Sequence, residues 1–250
     1  MSSLQLVRRD GALLPRPLRI DDDADGALAL AELYAPPAGR TSVRAMMNTT
    51  IDGSVTGADG TSGTLRNPDD SLVFGVLRAL ADVVLVGAGT VRAEDYTHPA
   101  EDEHLTGGDH RPGGGRTPLL AVLSTTGELP EGLDQHWPLL LLTPSTGLDA
   151  ARERSGLPAE QVLAAAGAVE ALDVLAGRGL LAIQAEGGPG TLGTLAAAGR
   201  LDELCFSITA RTVGGSSPHV IDGAPRDQRW ALDSLLLGEE AMIPRWRRRD

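Results

Sequence analysis

Short, wholly apolar runs separated by glycine, proline and acid set the pattern of this chain. Val83-Val-Leu-Val86, Leu119-Leu-Ala-Val-Leu123 and Leu139-Leu-Leu-Leu-Thr143 are too short for helices and apolar at nearly every position. Strands buried on both faces have that signature. Segments 43–47, 161–165, 180–185, 204–210, 231–237 and 242–248 complete the predicted strands. A different period appears between them. Val73, Val76, Leu77 and Leu80 fall on one face of a helix predicted over 67–81. Asn67 would cap it, Pro68 fits its first turn, and Asp69 and Asp70 suit its positive dipole end. Further helices are predicted over 168–177 and 190–199. Strands alternating with helices predict an α/β fold with a mainly parallel central sheet covered by helices on both faces. The last two strands lack an intervening helix and should form an antiparallel hairpin. Residues 1–40 read as an N-terminal arm with one short helix, 27–34, capped by Asp25 and stopped by Pro36-Pro37, leaving 41–250 as the main domain. Residues 246–249, Trp-Arg-Arg-Arg, read as an edge strand whose charges block unwanted pairing.

Composition narrows the function. The 250 residues carry a net charge of −12, which argues against a nucleic-acid partner. One cysteine, Cys205, leaves no disulfide framework and no cysteine-pair zinc site. The apolar runs are too short to span a bilayer, and the N-terminus lacks the apolar core of a signal peptide, so the cytoplasm is the expected compartment. The stretch 94–116 reads as one long surface loop. His98, His104 and His110 within it share no helical face, which favours a solvated acidic loop over a metal site. No His-x-Glu accompanied by Pro-Cys-x-x-Cys is present for a zinc deaminase, and Ser124, Ser145 and Ser207 lack a nucleophile elbow.

Two glycine turns carry the chemistry. Val83-Val-Leu-Val-Gly-Ala-Gly-Thr-Val91 ends a strand in small residues, but its sixth motif position is Arg92, so it is a poor dinucleotide fingerprint. Leu180-Leu-Ala-Ile-Gln-Ala-Glu-Gly-Gly-Pro-Gly-Thr-Leu192 is a strand, a turn and a helix opened by Pro189. The unsatisfied N–H groups at such a helix start form an anion site, although a purely structural turn has the same pattern. Glu186 stands at the carboxyl end of that strand, where ligands of open α/β sheets sit; capping the next helix is the alternative.

Four segments in order, Thr50-Ile-Asp-Gly53, Leu77 through Val91, Glu186-Gly-Gly-Pro-Gly-Thr191 and Leu201-Asp-Glu-Leu204, resemble the reductase domain of the riboflavin-pathway deaminase–reductases. That is the pyrimidine reductase family, with a dihydrofolate-reductase-like fold, here over about residues 43–248 and in a stand-alone form. The resemblance implies NADPH as cofactor, contacted by Asn48, Thr90, Glu94, Ser124, Gly188, Pro189, Gly190, Thr191, Leu192, Gly193 and Thr194. It implies substrate contacts from Ser62, Arg78 and Glu186, with Glu186 also the catalytic candidate, no metal, and a homodimer. The implied substrate is 5-amino-6-(5-phosphoribosylamino)uracil. Three positions depart from the family. Met46 replaces a lysine, Thr64 a tryptophan, and Asp95-Tyr-Thr-His98 the Asn-Pro-x-Leu segment that precedes a phosphate-gripping arginine. Arg111 or Arg116 would have to substitute. The departures also admit a reductase of pterin or folate substrates, or a nucleotide-binding protein without turnover.

Overall fold

The chain is described by a computed structural model over residues 2–94, 96, 98, 99, 102, 104, 105, 111, 112, 117–134 and 136–249. In chain order its strands are β1 (Ser3–Arg9), β2 (Ala12–Asp21), β3 (Ser42–Thr50), β4 (Val83–Gly87), β5 (Leu119–Leu123), β6 (Leu139–Thr143), β7 (Val162–Ala164), β8 (Ala182–Ala185), β9 (Glu203–Thr209), β10 (Trp230–Leu237) and β11 (Ala241–Arg248). Its helices are α1 (Ala24–Leu33), α2 (Pro68–Leu80), α3 (Ala88–Ala93), α4 (Leu148–Ser155), α5 (Ala168–Gly177) and α6 (Pro189–Ala197). The strands form one sheet, in the order β2-β1-β10-β11-β9-β3-β8-β4-β5-β6-β7. From β9 to β7 every neighbouring pair is parallel; from β2 to β9 every pair is antiparallel. The expected mainly parallel α/β class and the C-terminal hairpin, β10–β11, are both present.

Side-chain alternation explains the wholly apolar runs. Val43 and Ala45 of β3, Val83 and Leu85 of β4, and Ile183 and Ala185 of β8 pack with α5 and α6 through Leu172, Leu175, Leu192 and Leu195. Met46 of β3 and Cys205 of β9 point the other way, into Leu30 of α1 and Val73, Val76, Leu77 and Leu80 of α2. Consecutive strand residues therefore enter two different apolar layers, and neither face is left to solvent. The start of α2 follows its sequence signals: the Asn67 side chain accepts from the Asp70 N–H at 2.9 Å, and Pro68 is the first helical residue.

The differences lie at the antiparallel end. Residues 1–40 hold two strands as well as one helix: β1 and β2 form a hairpin, and β1 pairs with β10. β2 is an edge strand, mostly exposed and broken in composition by Pro15 and Pro17, which edge positions tolerate. Helix α1 is capped by Asp23, not Asp25; its Oδ1 accepts from the Gly26 N–H at 2.8 Å. The short helices α3 and α4 carry too few turns for a visible period. The arginine-rich last strand is not an edge: β11 lies between β10 and β9. Arg245 is buried there against Glu203, with Asp233 at 3.5 Å, while Arg44 reaches Glu203 from the other side at 2.7 Å. Paired carboxylates make a central position tolerable for these charges.

Candidate functional site

The carboxyl ends of β3, β4 and β8 open, together with α2, α3 and the start of α6, onto a cavity of about 670 Å³. Its position follows from topology, since parallel strands ending side by side leave a crevice at their carboxyl edge. Of the residues expected to contact ligands, Asn48, Ser62, Arg78, Thr90, Glu94, Glu186, Gly188 and Pro189 line it. Two of them are joined directly: the Glu94 carboxylate accepts from the Ser62 N–H at 2.9 Å. The Asn48 amide ties β3 to neighbouring segments, donating to the Leu65 carbonyl at 2.9 Å and accepting from Thr209 at 2.8 Å.

The remaining expected contacts are not among the lining residues. Ser124 is buried past the end of β5, where its hydroxyl accepts from the Glu128 N–H at 3.1 Å. Leu192 belongs to the core, and a Cβ on Gly193 would lie 1.7 Å from the Asp222 carbonyl oxygen, so that face of α6 is closed by backbone. Thr194 bonds back to the Gly190 carbonyl at 3.0 Å, and Thr191 sits over Gly87. Gly190 itself faces open space, as does Gly89 on the opposite turn. Gly188 is held close to Thr90, whose hydroxyl lies 2.9 Å from where a Cβ would be.

Arg78 and Glu186 face each other across 108 residues of sequence. The Arg78 fork donates two parallel bonds to the carboxylate, Nε to Oε1 at 2.8 Å and Nη2 to Oε2 at 2.6 Å. Gln184 Nε2 donates to Oε1 at 2.8 Å and the Tyr96 hydroxyl to Oε2 at 3.1 Å. Burial works against the Arg78 charge, but the charge and bonds of Glu186 outweigh it and hold the arginine above its ordinary value. Burial, then the Glu186 charge, keeps Tyr96 a phenol far above its usual range, so its O–H remains a donor. The guanidinium carbon lies 4.4 Å from the Phe74 ring centroid, 5.2 Å from that of Trp137 and 5.5 Å from that of Tyr96. Tyr96 stacks on Trp137, with centroids 6.3 Å apart. In a chain with two Phe, two Tyr and three Trp, this grouping was the sequence signal available for the pair's surroundings.

The sequence pattern marks Asp70 only as a first-turn acid of α2. It lines the cavity and is 7% exposed. Burial pushes its carboxyl up to about 6, against the opposing effects of Ser207, Asn48 and Arg66. The stretch 94–116 is more than a surface loop: Tyr96, Pro99, Asp102 and Arg111 line the cavity, and Leu105 is buried. Arg111 is 8% exposed and donates to the Ala79 carbonyl. Arg116, Asp95, Thr97 and His110 lie outside the described residues. Met46, at the family's lysine position, lines the cavity, whereas Thr64 is exposed, with its hydroxyl on Asp59. Among the described residues, no group of three or more His, Cys, Asp and Glu is placed to hold a metal, and no helix is long and apolar enough to cross a membrane.

A mainly parallel sheet with a cavity at its carboxyl edge, glycine turns on one side and a buried arginine–glutamate pair on the other, defines the class of α/β proteins that take ligands at the carboxyl ends of their strands. Within it, residues 41–243 match the model of the RibD C-terminal domain, and the chain belongs to that family, the riboflavin-pathway pyrimidine reductases. Comparison with curated protein sequences gave no match. Similar solved structures include a pyrimidine reductase-like protein of Corynebacterium diphtheriae, 24% identical over 84% of this chain and 93% of that one, with a TM-score of 0.69. A diaminohydroxyphosphoribosylaminopyrimidine deaminase/5-amino-6-(5-phosphoribosylamino)uracil reductase of Thermotoga maritima is 19% identical over 84% of this chain and 57% of that one, with a TM-score of 0.61. The riboflavin biosynthesis reductase Rib7 of Saccharomyces cerevisiae is 14% identical over 86% of this chain and 92% of that one, with a TM-score of 0.59. At these identities the likeness is one of fold.

Proposed function

We propose that this protein is an NADPH-dependent reductase that transfers hydride to 5-amino-6-(5-phosphoribosylamino)uracil. The observation that carries the reading is the joining, in one cavity, of the glycine turn at the start of α6 with the Arg78–Glu186 pair, in a chain of this family. The turn suits a dinucleotide. In the first turn of α6 Pro189 has no N–H, Thr191 and Leu192 donate to the Gly188 carbonyl at 2.9 and 3.2 Å, and the Gly190 N–H is left without a helical acceptor, while the open space at Gly190 and Gly89 lets phosphate approach the backbone. When bound, the nicotinamide supplies the hydride. The chain supplies placement: Met46, Met47, Val55 and Phe74 give apolar walls that exclude water, and Ser62 with Glu94 fixes the loop between β3 and α2 against α3. Arg78 and Glu186 fix the substrate wall, with Glu186 the candidate to accept hydrogen bonds from the substrate. A homodimer in solution is part of the proposal, checked by light scattering.

Three observations favour a second reading. Arg78 is turned inward onto Glu186, Met46 is uncharged, and a buried carboxylate, Asp70, faces the same space. These features suit an unphosphorylated heterocycle of pterin or folate type. The test is loss of nicotinamide absorbance when purified protein meets NADPH and 5-amino-6-(5-phosphoribosylamino)uracil. Rapid turnover supports the first reading. Binding of NADPH without turnover of that compound, but with reduction of dihydrofolate, supports the second. Binding with neither leaves a nucleotide-binding protein without turnover.

A further inference from the structure

The cavity runs along one face of α2. Asp70, Ser71, Phe74, Gly75, Arg78 and Ala79 all line it, over about two and a half turns or roughly 14 Å of helix axis. Within that face the positions four apart, Ser71, Gly75 and Ala79, form a strip with little side chain. The Ser71 hydroxyl is turned back on its own helix, donating to the Asn67 carbonyl at 2.9 Å. Gly75 leaves the backbone bare at the middle of the strip: a Cβ there would meet nothing within 4 Å. Beside the strip, Phe74 and Arg78 make a continuous wall, the guanidinium carbon 4.4 Å from the ring centroid. Glu186 holds Arg78 to that wall at 2.6–2.8 Å, so the arginine does not cover Gly75.

A glycine inside a helix carries a cost. It loses more conformational freedom on folding than any other residue, and alanine in its place would stabilise α2. The protein itself does not require glycine at 75, because the position is helical and nothing crowds it. What the missing side chain supplies is depth in the cavity. Gly75 stands midway between Asp70 and Ala79, so a ligand longer than one ring that lies along α2 passes over it.

We propose that Gly75 is a specificity-determining residue of this pocket, its bare backbone forming the floor on which the sugar-derived chain of the substrate lies. The substrate class is a planar heterocycle carrying an unbranched, hydroxylated chain. A side chain at 75 restricts the pocket to the ring alone. The inference deepens the proposed reaction and rests on it.

The probes are 6-aminouracil and the same ring carrying a ribitylamino chain. Their affinities for NADP⁺-saturated protein are read by ligand-observed NMR in wild type, Gly75→Ala and Gly75→Leu. Wild type should bind the chain-bearing compound about tenfold more tightly. Gly75→Leu should bind 6-aminouracil as wild type does, lose that preference and keep its NADPH affinity. Gly75→Ala should lose about threefold of the preference while melting about 2–4 °C above wild type. Equal binding of both compounds by wild type, an unchanged preference in Gly75→Leu, or equal weakening of both compounds overturns the proposal. So does loss of NADPH binding in Gly75→Leu, which would put the cofactor over α2. NADPH oxidation with the phosphoribosyl compound separates the inference from the reaction. Turnover by Gly75→Leu equal to that of wild type overturns the inference alone. No turnover by wild type, with the chain preference lost in Gly75→Leu, overturns the reaction alone.

Discussion

Glu186→Gln tests the buried pair most sharply, because it removes the charge facing Arg78 and keeps the shape. The side chains are 2% and 15% exposed, so water replaces little of what is lost. The new amide also cannot satisfy its surroundings. One of its two terminal positions becomes an NH₂ group, and each position now receives at least two donors, from Arg78 with Gln184 or from Arg78 with Tyr96. Removing one partner of a buried pair costs about 3–5 kcal/mol; with the cavity alongside, about 3 kcal/mol is expected, or roughly 6–12 °C in melting midpoint for a chain of this size. Removing both charges should cost less, since an apolar pair leaves no buried charge unpaired and strands only the neutral donors of Gln184 and Tyr96. The assay is a four-member cycle of thermal and urea melts on wild type, Glu186→Gln, Arg78→Met and Arg78→Met/Glu186→Leu. If Glu186→Gln melts within about 2 °C of wild type, or if the apolar double variant is less stable than Glu186→Gln, the pair is not the buried, closed unit described.

Other outcomes follow from single environments. Glu203 is held at about 2 by Arg44 and Arg245 despite burial, below its unfolded value, so it stabilises the fold above about pH 4.5. That stability, about 3 kcal/mol, should disappear as pH falls towards 2; Glu203→Gln should flatten this acid limb in urea melts, and an unchanged limb would exclude the network as its source. Asp70 has the opposite sign: its carboxyl is raised to about 6, so stability is lost as pH rises from about 4 through 6. Asp70→Asn should therefore melt near wild type at pH 4 but above it at pH 8, by up to about 3 kcal/mol, and equal melting at pH 8 would refute the burial argument. Gly188→Val would press a side chain on Thr90 beside the proposed phosphate site, and should weaken NADPH binding at least about tenfold by fluorescence titration. Unchanged affinity would remove the turn from the cofactor site. Cys205 is fully buried, its thiol pushed up to about 12 by burial, and should react with a thiol reagent only after unfolding.

What the amino-acid order revealed, and what it hid, have physical causes. The parallel block was legible because each of its strands is buried on both faces, which forces apolar residues at successive positions, as in 83–86 and 139–143. α2 was legible because Asn67, Pro68 and the Val73–Leu80 face act within one segment. The β1–β2 hairpin was not, because an exposed edge strand needs no apolar alternation and β2 contains Pro15 and Pro17. The position of β11 was misread for a related reason. Four arginines suggest solvent until Glu203, Asp202 and Asp233, distant in sequence, are placed beside them. At the site, Glu186 and Arg78 were both found by motif, but neither motif contains the other, so their mutual engagement was invisible. The place of Asp70 at the positive dipole end of α2 is true of its position and silent about its burial.

The family departures, taken with this geometry, are connected. Replacing a lysine by Met46 removes a cation from the cavity wall, and placing Tyr96 beside Glu186 adds a donor that holds the carboxylate towards Arg78. Phe74 and Trp137 cover the guanidinium, which makes the pair more nearly self-contained. An arginine in that state contributes little attraction for a phosphate, because its charge is already compensated at 2.6–2.8 Å. The cavity wall is then left with hydrogen-bonding groups and the carboxylates of Asp70, Glu94 and Asp102. The two proposed substrates differ in the phosphate but both present ring N–H groups, so competition between phosphorylated and unphosphorylated forms of one aminopyrimidine isolates the contribution of the phosphate. If Arg78 is engaged as described, removing the phosphate should change affinity by less than about tenfold, whereas a free arginine contact would be worth about 1.5–3 kcal/mol, or roughly ten- to a hundredfold.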